Sequence, residues 1–139
     1  MEFKILNDTN EEIKTLRTQA FIIEKNVPVE IEFDGRDKEH KHFCLYDNNE
    51  LIACARGEIL GPVMHLGRVT VKNTKRGNGL GKILFSFIEE YASENGCTKL
   101  ELGAVETAIG FYEKIGFKPF GDYYMEVGWA HINMTKEIV

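Results

Sequence analysis

The sequence predicts a single α/β domain built on a mixed, mostly antiparallel central sheet of six to seven strands with helices on both faces. Three observations predict it. Runs rich in β-branched and aromatic residues alternate with strongly periodic helical stretches, and the order along the chain reads β, α, β, β, β, α, β, α, β, β. The 139 residues show no break in composition, which fits one domain over residues 1–139 with a core of its own.

Residues 2–7, EFKILN, alternate Phe3 and Ile5 with polar neighbours and read as a strand. Thr9 and Glu12 have the spacing of a capping box, and Ile13, Leu16, Ala20 and Ile23 follow at helical intervals, so a first helix should end before Pro28. An irregular acidic stretch, Asn26 to Lys41, leads to HFCLYD and LIACARGEIL, two strands around a hairpin turn at Asn48-Asn49. Gly61-Pro62 then turns the chain into MHLGRVTVK. Three glycines introduce a helix with the apolar stripe Leu80, Ile83, Leu84, Phe87, Ile88 and Tyr91, closed by Gly96. KLELGA reads as a strand, ETAIGFYEKIG as a short helix stopped at Gly116, and FKPFGDYYMEV and AHINMTKEI as closing strands.

Composition excludes several classes of function. The net charge is −5, from 17 basic and 22 acidic residues, which argues against nucleic acid as a partner because phosphate backbones need a dominant positive surface. No apolar run approaches the length of a membrane span, and the first residues lack a basic then apolar leader, so a cytoplasmic protein without a membrane partner is expected. Cys44, Cys54 and Cys97 lack the close spacing of zinc ligands and read as buried, reduced thiols, with no metal expected. An exposed edge strand near the C-terminus would suit a homodimer.

The glycine stretch is the first candidate site. Gly77, Gly79 and Gly81 fit neither a nucleotide-triphosphate loop, since three residues rather than four precede Gly81-Lys82, nor a dinucleotide GxGxxG fingerprint. Glycines still let backbone N–H groups approach an anion closely, and the helix starting near Leu80 aims its positive end at the same point. Lys72, Lys75, Arg76 and Lys82 add cations with no acidic residue between Lys72 and Lys82. A phosphate or pyrophosphate fits there; an ordinary strand-to-helix turn with a solvated basic rim is the plain alternative.

RGNGLG after VTV resembles the acyl-coenzyme A pyrophosphate loop of the GNAT acetyltransferase superfamily, with Arg76, Gly79 and Gly81 filling its pattern. AIGFYEKIGF, Ala108 to Phe117, resembles a second segment of that superfamily at the expected distance. FIIEKNVP, EFDGRD, KHF, LGRVTV and EVGWAHINM together resemble its ElaA-like branch, for which acceptors are generally unassigned. The resemblance runs over nearly the whole chain. It implies a GNAT-like domain in which Val69, Thr70 and Val71 align the pantetheine arm, and Arg76, Gly77, Asn78, Gly79, Leu80, Gly81 and Lys82 hold the pyrophosphate of acetyl-CoA. It also implies transfer to a small-molecule or peptide amine in a ternary complex, without an acyl-enzyme.

Amine acetylation requires a base for the amine, a donor for the oxyanion and a proton source for the thiolate. The resemblance puts Tyr112 at the thiolate, although Ala108, Phe111, Tyr112 and Ile115 also form an ordinary apolar helix face. For the base, His131 and the acidic loop carrying Glu32, Asp34 and Asp37 rank ahead of His65, which stands on the strand leading to Val71. Arg56 and Arg68 lie in apolar strands and need acidic partners, among which Asp34, Asp37 and Glu126 are candidates. Such pairs would either fix the acidic loop or, with Glu32 and Asp34, bind the acceptor. Six acidic against three basic residues between Glu24 and Glu39 would steer a cationic amine weakly. Val105 stands where the superfamily often has Asn and the branch Gln, so the resemblance does not carry over one polar contact to the pantetheine arm. A non-catalytic acyl-CoA sensor domain is the rival reading.

Overall fold

The computed structural model describes residues 1–138. Its strands are β1 (Glu2–Leu6), β2 (Lys41–Asp47), β3 (Glu50–Leu60), β4 (Val63–Val71), β5 (Lys99–Val105), β6 (Lys118–Glu126) and β7 (Trp129–Glu137). They form a seven-stranded sheet in the order β1-β2-β3-β4-β5-β7-β6. β4 and β5 pair in parallel; β1 with β2, β2 with β3, β5 with β7 and β6 with β7 pair antiparallel, so the sheet is mixed as expected. The α-helices among the described residues are α1 (Glu11–Arg17), α2 (Val29–Glu32), α3 (Leu80–Glu94) and α4 (Ile109–Lys114). None is long and apolar enough to cross a membrane. The chain divides into two compact units, one of Met1–Glu58 with Arg68–Ile88, the other of Ile59–Gly67 with the chain from Glu89 onward.

In the first unit α1 starts one residue later than the Thr9 capping box predicts. Asn10, not Thr9, is the cap: its extended backbone lets the side chain accept from the Ile13 amide at 2.9 Å, while Thr9 gives its own amide to Asp8. Ile13, Leu16 and Ala20 are buried as the stripe requires, but Ile23 is exposed. The reason is a π-helical stretch over Thr18–Ile23, where the Glu24 amide reaches back to Gln19 and rotates the stripe off the core. β2 and β3 join at Asn48-Asn49, both with positive φ (+50° and +65°), a two-residue hairpin turn whose twist matches its strands.

Neighbouring side chains on β2 point to opposite faces and each face has its helix. Cys44 packs with Ile13 and Leu16 of α1, whereas the Phe3 ring lies between Phe43 and Phe87 of α3, with centroids 6.3 and 4.7 Å away. Register sets Cys44 directly opposite Cys54, and both thiols are buried and free. Burial pushes the Cys44 thiol up to about 12.

In the second unit β4 pairs with β5 from Val63 to Leu66. Gly96, at φ +84°, ends α3, and the Cys97 amide returns to the Ala92 carbonyl at 2.9 Å. β6 carries a bulge: Phe120 pairs with Asn133 and Tyr124 with His131, so three residues of β6 face one of β7. Val127 and Gly128 close the β6–β7 hairpin, both at positive φ. β6 is the last strand of the sheet, and the bulge and Pro119 blunt its free edge.

Candidate active site

β4 ends where the Lys72 amide meets the Ile52 carbonyl at 2.8 Å, and one 3₁₀ turn, Asn73–Lys75, leads into the glycines. Gly77 and Gly79 adopt φ of +82° and +75°, and no heavy atom beyond the adjoining residues lies within 4 Å of where a Cβ would stand. Glycine is needed there for the turn and leaves the backbone open to close approach. The first bond of the α3 ladder runs from the Ile83 amide to the Gly79 carbonyl at 3.1 Å. The amides of Leu80, Gly81 and Lys82 therefore precede the ladder, at the positive end of a 15-residue helix. Backbone donors with this exposure and polarity fit an anionic group such as a pyrophosphate.

The cations divide into bound and free. Arg76 donates from Nε to the Val71 carbonyl at 3.0 Å and from both Nη atoms to the Glu24 carboxylate at 2.7 and 3.0 Å. That hydrogen bonding holds the Glu24 carboxyl below its usual value. Lys72 pairs with Glu50 at 2.9 Å. Lys75 and Lys82 make no ion pair among the described residues. Arg76 thus clips the loop to the end of the first helix, a contact its sequence position does not suggest.

The acidic stretch folds onto three arginines. Arg17, 1% exposed, donates from Nε to Glu32 Oε2 at 2.6 Å, from Nη1 to Asp37 Oδ1 at 2.8 Å and from Nη2 to the Glu32 carbonyl at 2.8 Å. Arg56 holds both oxygens of Asp34, at 3.0 and 2.7 Å, and shares Asp37 at 2.9 Å. Arg68 stands 3.2 Å from Glu32 and 3.5 Å from Asp34 and donates to the Ile31 carbonyl at 3.0 Å. Its own backbone sits at φ +52°, uncommon for a residue with a side chain. Of the partners expected for Arg56 and Arg68, Asp34 and Asp37 take part and Glu126 does not.

Three guanidiniums thus meet three carboxylates. The Arg56 hydrogen bonds drive the Asp34 carboxyl far below the usual carboxylate range. For Asp37, burial pushes up most strongly, yet Arg17 and Arg56 together bring the carboxyl below its ordinary value. With Glu24 paired to Arg76 and Glu39 to Arg36, five of the six acids in the stretch have an arginine partner, which weakens the field left to steer a cation. Glu32 and Arg56 are buried; Asp34 and Arg68 keep 28% and 23% of their side chains exposed.

In the second unit Tyr112 is 7% exposed on α4, edge-to-face with Phe111 and Phe117 at 5.1 and 5.6 Å. Burial pushes its phenol well above the usual value, so it holds its proton. His131, partly buried on β7, has Nδ1 2.9 Å from the Trp129 carbonyl. Since a carbonyl only accepts, that bond puts a proton on Nδ1, so that in the neutral ring the lone pair falls on Nε2. The Tyr124 ring stacks on His131 at 5.6 Å. His65, 44% exposed, stands 3.7 Å from Glu101, an ordinary surface pair. Val105 is the register partner of His131. Among the described residues no group of three or more His, Cys, Asp or Glu could hold a metal ion.

Sequence reasoning missed Arg17, Tyr124 and Gly103. Arg17 had a signal: it falls on the buried stripe of α1, four residues after Ile13 and three before Ala20, where a charge needs a buried counter-charge. Tyr124 reaches its place through the β6 bulge, which leaves no mark on alternation.

Comparison with known proteins gives one family. Residues 9–117 match the model of the acetyltransferase (GNAT) family. The uncharacterised Bacillus subtilis protein YyaT is 36% identical over 134 residues, covering 94% of this chain and 90% of its own. Protein ElaA of Escherichia coli is 34% identical over 131 residues, covering 89% and 84%. The crystal structure of Escherichia coli ElaA superposes with a TM-score of 0.84 at 29% identity, over 98% of this chain and 99% of that one. An aminoglycoside 6'-N-acetyltransferase complexed with coenzyme A shares the fold, with a TM-score of 0.81 at 17% identity over 100% and 98%.

Proposed function

The chain belongs to the acetyltransferase (GNAT) family, and on that premise we propose that it transfers an acetyl group from acetyl-CoA to a primary amine by direct attack, with both substrates bound together. The observation that carries this reading is the opening of α3: two glycines at positive φ with open space beside them, followed by amides that precede the helical ladder. Gly77 through Lys82 would hold the pyrophosphate, with Lys75 and Lys82 as the uncommitted cations. Val69, Thr70 and Val71 would align the pantetheine arm. Bound acetyl-CoA supplies the acyl thioester.

The remaining steps fall to the chain's own residues. A primary amine with a pKa of about 10.4 is almost wholly protonated at neutral pH, so a base must take its proton. His131 suits the task through Nε2, because the Trp129 carbonyl retains the Nδ1 proton. Tyr112, its phenol kept protonated by burial, hydrogen-bonds the departing thiolate. Arg17, Arg56, Glu32 and Asp37 are read as scaffold, and the partly exposed Asp34 and Arg68 as the members open to an acceptor.

Thiol release from acetyl-CoA over a panel of small-molecule and peptide amines tests the proposal. At least one amine should support turnover, and Tyr112→Phe should lower kcat about a hundredfold while leaving coenzyme A affinity nearly unchanged. Coenzyme A binding with no turnover across the panel would favour the sensor reading. Equal stabilisation by inorganic phosphate and coenzyme A would favour a plain anion site.

A further inference from the structure

Around His131 the second unit brings together residues of three strands. β5, β7 and β6 lie side by side, with Gly103 opposite Asn133 and His131 opposite Tyr124. Had β6 kept the register of its first residues, in which Phe120 pairs with Asn133, Asp122 would face His131. An aspartate there would favour the protonated imidazole, which cannot act as a base. The bulge replaces it with a tyrosine. That ring lies nearly parallel to the imidazole, at 20° and 5.6 Å, and its hydroxyl donates to Asn133 Oδ1 at 3.1 Å.

Gly103 is the third part. A Cβ at this position would stand 2.3 Å from the Tyr124 hydroxyl oxygen, a distance no pair of unbonded atoms tolerates. Its other neighbours, Tyr124 Cζ and Asn133 Oδ1, are both at an ordinary 3.7 Å. The obstacle to a side chain at 103 is therefore a single oxygen atom, the one that anchors Tyr124.

We propose that Tyr124 is the positioning residue of His131, and that Gly103 is present because the tyrosine hydroxyl occupies its side-chain space. The proposal rests on His131 being the base. Tyr124 confines the imidazole to the rotamer whose Nδ1 proton meets the Trp129 carbonyl, and Asn133 holds the Tyr124 hydroxyl over Gly103 of β5.

A mutant cycle of Gly103→Ala, Tyr124→Phe and their combination tests this, read by kcat, acetyl-CoA affinity and side-chain nitrogen NMR of His131. Gly103→Ala should push Tyr124 off the imidazole, lowering kcat about tenfold to a hundredfold, leaving acetyl-CoA affinity unchanged and weakening the Nδ1–H signature. With the hydroxyl removed, the same alanine should cost no more than about twofold. If the alanine costs equally in both backgrounds, or leaves the His131 signature unmoved, the proposal is wrong. Should Gly103→Ala fail to fold, Tyr124→Leu, which introduces no clash, must weaken the signature by itself. A fully active His131→Ala would overturn the base reading, whereas the NMR response of His131 to Gly103→Ala would still judge the contact.

Discussion

Replacing Arg17 by methionine keeps most of the side-chain volume and removes the charge. Three hydrogen bonds disappear, at 2.6, 2.8 and 2.8 Å, all from a side chain 1% exposed. Removing one partner of a buried ion pair typically costs about 3–5 kcal/mol, because the remaining charge is left without compensation. Here each carboxylate keeps a second guanidinium: Arg68 stands 3.2 Å from Glu32, and Arg56 2.9 Å from Asp37. The lower end, about 3 kcal/mol, is therefore expected. Against a total of about 5–15 kcal/mol this is a large loss. Urea unfolding should show a lower midpoint with an unchanged slope.

The loss should also depend on pH in a defined direction. Asp37 has a folded-state pKa below its unfolded one, so its contribution is present above about pH 4 and disappears as pH falls through the folded value. Arg17 is the strongest influence drawing that value down, against burial, so the variant's Asp37 moves back toward the ordinary value. The stability gap between wild type and Arg17→Met should be widest above about pH 5 and should narrow below about pH 4. A gap under about 1 kcal/mol, or one that is flat with pH, would refute the reading of Arg17 as the buried counter-charge of Glu32 and Asp37.

Two further substitutions probe the backbone. Val127 occupies φ +46° in the β6–β7 turn, where a β-branched side chain is strained, so Val127→Asn should stabilise by about 1 kcal/mol and raise Tm by roughly 2–4 °C; no rise would mean the turn carries no strain. Gly79→Ala, at φ +75° in the loop, should cost about 1 kcal/mol and weaken coenzyme A binding by calorimetry. Gly61→Ala, at φ +64° in the β3–β4 turn, should cost similar stability without weakening binding, and equal losses of affinity in both would count against the loop.

Features written in local sequence were legible before the structure. The Asn48-Asn49 turn needs only two residues that tolerate positive φ, and the α3 stripe needs only periodicity. Gly96 and Gly116 end their helices at positive φ for the same local reason. What escaped depends on partners distant in sequence. Arg17 meets Glu32 and Asp37 across 15 and 20 residues, and Cys44 meets Cys54 only once the hairpin register is set. The cap at Asn10, the π-helical stretch and the β6 bulge are choices between near-equal local options, decided by packing. The glycine loop was visible as a candidate for its residue types, but its tie to Glu24 spans 52 residues and was not.

Six mutually dependent charges also restrict how this sequence can drift. A lineage that loses one arginine or one acid passes through a weakened ancestor before a second change can restore balance. The accessible routes remove a cation and an anion nearly together, or replace the whole segment around α2. Descendants should therefore inherit Arg17, Glu32, Asp34, Asp37, Arg56 and Arg68 as a block or lack most of them, with partial sets rare.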